Sequence, residues 1–466
     1  MGDLTSLHAN GWQTQYQRDL FGLEIGRTMQ GGLSSRTTRD RLGRVTGHGI
    51  QHNNRSLSEK SYLWGINDQL LQIDDNGKQT KFSYDTWGNL SKTIFPDGKI
   101  EHRNPDKTGN LFESLDRMDR KYAKGGQLVK AEDWTYKYDK EGNLKEKKGK
   151  HGETWEYYWN AAGMLSIVKR PDGRSVLFTY DALGRRTEKH FARTTTKFVW
   201  DGNVPLHEWR EVHSTEYSEE EGQYLKITKE PVTTWVFEEG TFVPTAKLVG
   251  DQEFSIVTNY LGTPEAMYDE MGSKVWSCTL DSYGKVRNFE GQWKVDCPFR
   301  YQGQYEDSET GLYYNRFRYY SPEEGMYISQ DPIRIIGGLE LYSYVKDTNT
   351  WVDRLGLIEE YSDGSYQLTL FPTEPYNRQK HYGNTPTAAQ KSSVPAGMEF
   401  DHDPMLVKHY YEGVDGSLPG YNMTNAERRK FAQDINNGKA ATPKEQRRQG
   451  AKAAAYSKKK KKQCGF

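Results

Sequence analysis

The chain has 466 residues, more than one hydrophobic core usually serves, so two or more domains are expected. Basic and acidic residues number 64 each, which excludes a polyanion binder along the whole chain, and no apolar run of about 18 residues occurs, which excludes a membrane-spanning helix. Three cysteines, Cys278, Cys297 and Cys464, are too few and too scattered for a disulfide framework or a four-cysteine zinc site.

A mean hydropathy of -0.93 would by itself suggest disorder, but 12 Trp, 31 Tyr and 17 Phe carry apolar area that disordered chains lack. The Gly, Asn, Asp and Lys around those aromatics suit short strands joined by tight turns. The first residues after Met1 are polar and hold no apolar signal-peptide core, so export without a signal peptide is expected.

In chain order, a recurring unit comes first: aromatic, Asp, two variable residues, Gly, then Asn or Arg. It occurs as Tyr84-Asp85-Thr86-Trp87-Gly88-Asn89, Tyr138-Asp139-Lys140-Glu141-Gly142-Asn143 and Tyr180-Asp181-Ala182-Leu183-Gly184-Arg185, with a looser copy from Tyr158 to Leu165. Degenerate copies start at Arg39 and Leu280. Each copy predicts a β-hairpin, because Asp can accept backbone N–H groups in the turn and Gly can take a positive φ. The flanking residues alternate, as in Trp134-Thr135-Tyr136-Lys137-Tyr138, which predicts strands covered on one aromatic face. One hairpin is too small to stand alone, so neighbours must join into an extended sheet.

These units resemble the tyrosine-aspartate (YD) repeats of Rhs proteins, and Asn259-Tyr260-Leu261-Gly262-Thr263-Pro264 resembles that family's HLGTP element. The run from Arg300 to Leu357 resembles the Rhs core terminus almost throughout. The resemblance implies a β-sheet shell, a terminus that plugs it, and aspartate-dependent self-cleavage that releases a variable C-terminal toxin. Carried onto this chain, the acids are Asp331 and Asp353 and the cut follows Leu357. Two carboxylates sharing a proton would supply an acid and a base for peptide hydrolysis. The family's proline after the second Asp is here Arg354, so a fixed φ is lost beside Asp353, and a guanidinium there would favour ionised carboxylates.

After Leu357 the repeat stops and the charge changes. Residues 358–466 hold 17 Lys plus Arg against 12 Asp plus Glu, a net of +5, which leaves -5 for the preceding part. Ser365 to Phe371 can form a strand. Thr424-Asn425-Ala426-Glu427 reads as a capping box opening a helix that ends near Gly438, and Thr442-Pro443-Lys444-Glu445 opens a second. Lys458 to Lys462 form a basic tail that raises affinity for nucleic acid without sequence preference.

The chemistry candidates are Asp401 and His402, with Asp403, His409 and Glu399 close by. Imidazole and carboxylate together can bind a divalent metal, or a neutral His can take a proton from water. The Asp401-His402-x-Pro404 order resembles the first strand of HNH-type nucleases, which implies Asp401 on the metal and His402 as general base. The residue that would close such a site is open among Asn425, Asp434, Asn436 and Asn437.

The expected fold is therefore mainly β: a YD-repeat hairpin sheet (1–299), a core terminus (300–357) and a small α+β C-terminal domain (358–466). The expected function is an Rhs-family antibacterial effector with a metal-dependent nuclease at its C-terminus. Its catalytic residues would be His402 and Asp401, with Asp331 and Asp353 for release, and its metal, Mg2+, Mn2+ or Zn2+, would sit on Asp401, Asp403 and His409. The family implies a cognate immunity protein and a secretion-system component as partners, and action on nucleic acid in the target-cell cytoplasm. The alternatives are a nucleotide transferase or deaminase toxin, and a β-rich binding protein whose basic tail tethers it to polyanions.

Overall fold

The computed structural model describes residues 4–218, 222–333, 340–357 and 360–361, and, further on, 382, 388–394, 399–402, 406, 409–410, 425–433, 438–441, 452–453 and 456–457. The chain divides into two units, Met1–Ser362 and Asp363–Phe466. The expected boundary after Leu357 lies just before this division, and residues 300–357 belong to the first unit.

Alternating strands and tight turns produce two long antiparallel meanders. Strands β1 (Ser6–Ala9) to β10 (Ile100–His102) form a ten-stranded sheet, and β11 (Arg120–Tyr122) to β27 (Val286–Gly291) a seventeen-stranded one, each strand following its neighbour in sequence. A four-stranded sheet follows: β28 (Tyr305–Asp307), β29 (Leu312–Asn315), β30 (Arg318–Ser321) and β31 (Met326–Tyr327).

The repeat turns have the expected chemistry. Asp85 Oδ1 accepts the N–H groups of Trp87 and Asn89 at 2.8 and 2.9 Å, Gly88 has φ 82°, and the register shifts by a bulge between Ser83 and Tyr84. The same pair of bonds recurs at Asp40, Asp181 and Asp281, and the amide oxygens of Asn160 and Asn259 make it too. The aromatic before the turn has a further role. Tyr84 Oη donates to Leu70 O at 2.9 Å, Trp159 Nε1 to Leu144 O at 2.8 Å, Tyr180 Oη to Leu165 O at 2.6 Å and Trp200 Nε1 to Arg186 O at 2.6 Å. A ring with a polar tip thus buries apolar area and ties its hairpin to the one before.

The core terminus packs on this sheet. Leu312, Tyr314, Tyr319 and Ile328 share one apolar cluster with Leu128, Tyr136, Leu144, Leu165 and Phe178 of the repeats. Its polar side chains meet turn carbonyls of the repeats: Arg316 Nη2 donates to Leu183 O at 2.8 Å, Tyr342 Oη to Gly142 O at 2.6 Å, and Tyr313 Oη to Gly284 O at 3.0 Å. Arg186 is fully buried among the rings of Phe178, Phe198, Tyr305 and Tyr314, and its Nη1 lies 2.5 Å from Asp307 Oδ2. The ten-stranded sheet joins the larger one through Trp12 Nε1 to Ser255 Oγ at 3.0 Å and Lys60 Nζ to Glu265 Oε2 at 2.7 Å.

In the second unit, β34 (Glu399–His402) pairs antiparallel with β35 (Gly438–Ala441), beside a helix α1 (Ala388–Ser392) and a helix α2 (Asn425–Gln433). Helix α2 starts where the capping signal puts it, and Gly438 begins the strand that pairs with β34. Tyr382, Leu406, Tyr410 and Ala432 form its core, with Phe431, Ala453 and Tyr456 against them. The strand expected over Ser365–Phe371, the cap residue Thr424 and the helix expected from Thr442 lie outside the described residues.

Candidate functional site

Asp331 follows β31 and Asp353 follows the short strand β32 (Trp351–Val352), 22 positions apart in sequence, and the fold brings both to one guanidinium. Arg318 Nη2, from β30, is 3.2 Å from Asp331 Oδ2 and 3.2 Å from Asp353 Oδ2. The same side chain donates from Nε to Gly356 O at 2.5 Å and from Nη1 to Leu341 O at 3.2 Å, and lies 3.7 Å over the ring of Tyr327. All three charged groups are buried: Asp331 is 4% exposed, Asp353 1% and Arg318 3%.

The two carboxylates differ in their surroundings. Asp353 Oδ2 accepts the Tyr327 hydroxyl at 2.8 Å, and Oδ1 accepts the Leu357 N–H at 2.8 Å. Donors on both oxygens favour its ionised form. Asp331 Oδ1 accepts the Ile333 N–H at 2.9 Å, yet burial, opposed by Arg318 and aided by the charge of Asp353, pushes its pKa up to about 6. Asp353 thus holds the Leu357 N–H, while burial favours the protonated form of Asp331.

Asn315 closes the site from below, its Nδ2 donating to Tyr327 Oη and to Asp353 O, each at 2.8 Å. The loop turns at Gly356, with φ 70°, where a Cβ would lie 2.6 Å from Asn315 O. Arg354 is buried, and its Nε donates to Gln302 Oε1 at 3.0 Å, while Gln302 Nε2 donates to Leu261 O at 2.7 Å. A side-chain tether to the Asn259–Thr263 turn thus restrains the loop where the expected proline is missing. Sequence reasoning missed Arg318, Tyr327 and Asn315. The available signal was a basic residue inside an aromatic strand, Arg318-Tyr319-Tyr320, which cannot be buried without acidic partners.

The candidates of the second unit stand differently. His402 is 7% exposed, and its Nε2 lies 2.9 Å from Ala432 O in α2. A carbonyl only accepts, so Nε2 carries a proton and donates it to this bond. Gln390 Nε2 donates to the same carbonyl at 2.8 Å. His409 is fully buried, stacked on Phe431 with centroids 3.7 Å apart, and its Nδ1 lies 2.6 Å from Tyr382 Oη. Burial and the nearby Arg428 push its pKa down to about 4, so it is neutral, and its Nε2 is buried without a hydrogen bond. Asp401 lies in β34 with its backbone opposite Lys439, and Asp403 lies outside the described residues. Among the described residues no three His, Cys, Asp or Glu side chains gather into a set that holds a metal.

Residues 27–336 match the Teneurin YD-shell family, and the chain belongs to it. It is 32% identical over 390 residues to "Double-stranded DNA deaminase toxin A" of Burkholderia cenocepacia (strain H111), an alignment covering 78% of this chain and 27% of that one. It is 30% identical over 359 residues to "Probable deoxyribonuclease RhsB" of Dickeya dadantii (strain 3937), covering 73% and 24%. Against "Toxin protein Tse5" of Pseudomonas aeruginosa (strain PAO1) it is 29% identical over 358 residues, covering 64% and 27%. The chain thus shares the YD-repeat core of Rhs-type polymorphic toxins and spans about a quarter of the length of these relatives. Among the described residues no helix is long and apolar enough to cross a membrane.

Proposed function

We propose that this chain carries the terminal part of an Rhs-type antibacterial toxin, which cuts itself after Leu357 and frees residues 358–466 to act on nucleic acid in a target cell. The observation that carries the reading is the convergence of Asp331 and Asp353 on Arg318, with Asp353 holding the Leu357 N–H. Asp331 takes a proton from water as it attacks the Leu357 carbonyl carbon. The bond from that carbon to the nitrogen of Ile358 breaks, and Asp331 returns the proton to the leaving amine. Asp353 stays ionised and fixes the peptide. Arg318 offsets the charge of both acids and grips Gly356 O.

For the released part a nuclease is the favoured chemistry, supported by its basic charge and by a relative named as a probable deoxyribonuclease. His402 is its general base. The proposed Mg2+, Mn2+ or Zn2+ would rest on Asp401, Asp403 and His409; His409 Nε2, on a neutral ring and without a hydrogen bond, suits it. The described residues do not complete such a set. A cognate immunity protein and a secretion-system component belong to the same proposal. The relative named as a DNA deaminase toxin favours deamination as the second reading.

The test is expression of the full chain in a bacterial host beside Asp353→Asn and His402→Ala, with chromosomal DNA and total RNA examined during growth. Growth arrest with fragmentation of one nucleic acid, lost in both folded variants, supports the proposal. Arrest with base changes and intact strands moves the chain to deamination, and no arrest overturns a toxic role.

A further inference from the structure

Two uncharged side chains hold Asp353, Tyr327 by its carboxylate and Asn315 by its main-chain carbonyl. Tyr327 is fully buried, its hydroxyl accepting from Asn315 Nδ2 at 2.8 Å and donating to Asp353 Oδ2 at 2.8 Å. Asn315, also fully buried, donates with the same amide nitrogen to Asp353 O at 2.8 Å. The amide therefore fixes the main chain of residue 353 and, through the phenol, the orientation of its carboxylate. Both residues come from strands of the four-stranded sheet, β29 and β31, so the frame belongs to the packed core and not to the loop that would be cut. The Tyr327 ring also forms the floor on which the Arg318 guanidinium lies, 3.7 Å away.

We infer that Tyr327 and Asn315 are the positioning residues of the proposed self-cleavage: the Asn315–Tyr327–Asp353 relay fixes Asp353 as an oriented anion and, through the Tyr327 ring, fixes Arg318 between the two acids.

This inference rests on the reading of Asp331 and Asp353 as a cleaving pair. A hydroxyl donating to a buried carboxylate stabilises its ionised form, and its loss raises the apparent pKa of the coupled pair as a whole. A merely structural tyrosine would change stability and leave the pH dependence of cleavage in place. The aromatic floor makes a second contribution, because a guanidinium seated on a ring is held from swinging to serve one acid alone.

The experiment takes full-length chain from denaturant, dilutes it into buffers from pH 5 to pH 8, and follows the appearance of the two fragments on gels. Wild type is compared with Tyr327→Phe, Asn315→Ala, Tyr327→Leu and Asp353→Asn, each checked for a cooperative melt. Tyr327→Phe keeps the floor and loses the hydroxyl. It is expected to slow cleavage roughly tenfold at pH 7, the loss of one charge-assisted hydrogen bond, and to move the acid limb of the pH profile upward. Asn315→Ala should shift the limb in the same direction, and Tyr327→Leu should slow cleavage further by freeing Arg318. If Tyr327→Phe and Asn315→Ala cleave with the wild-type rate and profile while Asp353→Asn is uncut, the positioning role is overturned and the cleaving pair stands. If wild type stays whole, or Asp353→Asn is cut, the cleaving pair itself is overturned and the inference with it. If the phenylalanine variant melts cooperatively and is slowed equally at every pH, the relay to the carboxylate is overturned.

Discussion

Replacing Gly356 by alanine tests whether the geometry of the Leu357 loop sets the cleavage rate. The residue has φ 70°, and a Cβ built on it would lie 2.6 Å from Asn315 O and 3.3 Å from Arg318 N and Cβ. The left-handed conformation alone costs an L-residue about 1–2 kcal/mol. The contact adds more, because the loop must retreat by about 0.8 Å before the Cβ reaches the 3.4 Å of an ordinary contact. That retreat draws Leu357 away from Asp353 and Gly356 O away from Arg318. A displacement near 1 Å in a reacting geometry is worth about 100-fold in rate. The control is Gly311→Ala, with φ 73° and nothing within 4 Å of its Cβ, which carries the conformational cost without the clash. Refolding kinetics followed by fragment appearance, beside thermal melts, should show both variants destabilised by about 1–2 kcal/mol and Gly356→Ala alone slowed by about 100-fold. Equal cleavage rates in the two variants would refute the claim that this contact aligns the loop.

Further expectations follow from other parts of the fold. Asp331→Asn should alter the pH dependence of stability: burial raises this carboxyl from 3.8 to about 6, so the native state holds a proton that the unfolded chain releases. Wild type therefore loses stability as pH rises from about 4 to about 6, and the melting temperature of the variant minus that of wild type should grow across that window and level off above it. Arg186→Met should cost about 3 kcal/mol in denaturant unfolding, because Asp307 stays buried with only Lys189, 3.1 Å away, to balance it. Asp181→Ala removes two turn hydrogen bonds and the partner of Arg185, and should cost about 1–2 kcal/mol. His402→Ala should lower the melting temperature of the second unit, through the lost bond to Ala432 O; an unchanged melt would leave that bond without structural weight.

Much of the first unit could be read from residues because its information is local. An Asp and a Gly at fixed spacing close each turn, and alternation assigns the buried face, so hairpins at Tyr84, Tyr138 and Tyr180 follow from a few residues each. The reason the turn-leading residue is Tyr or Trp was not legible, since it lies in a hydrogen bond to the preceding hairpin, as from Tyr180 to Leu165 O. Family likeness supplied Asp331 and Asp353, but spacing alone could not show Arg318 between them, because that contact joins β30 to two separate loops later in the chain. Arg354 looked like a loss of rigidity and is a tether to Gln302, a tertiary contact that a missing proline cannot announce. In the second unit the helix signal at Thr424 matched the start of α2, while the strand that begins at Gly438 was not legible, because Gly438 pairs with His402, 36 positions earlier.

The most direct test of the central claim is the intact mass of the full chain after dilution from denaturant and refolding at pH 7, beside Asp331→Asn and Asp353→Asn. The account predicts that wild type appears as two pieces whose masses place the break between Leu357 and Ile358, and that each variant appears as one chain of 466 residues. An unbroken wild type, or the same break in either variant, would contradict it.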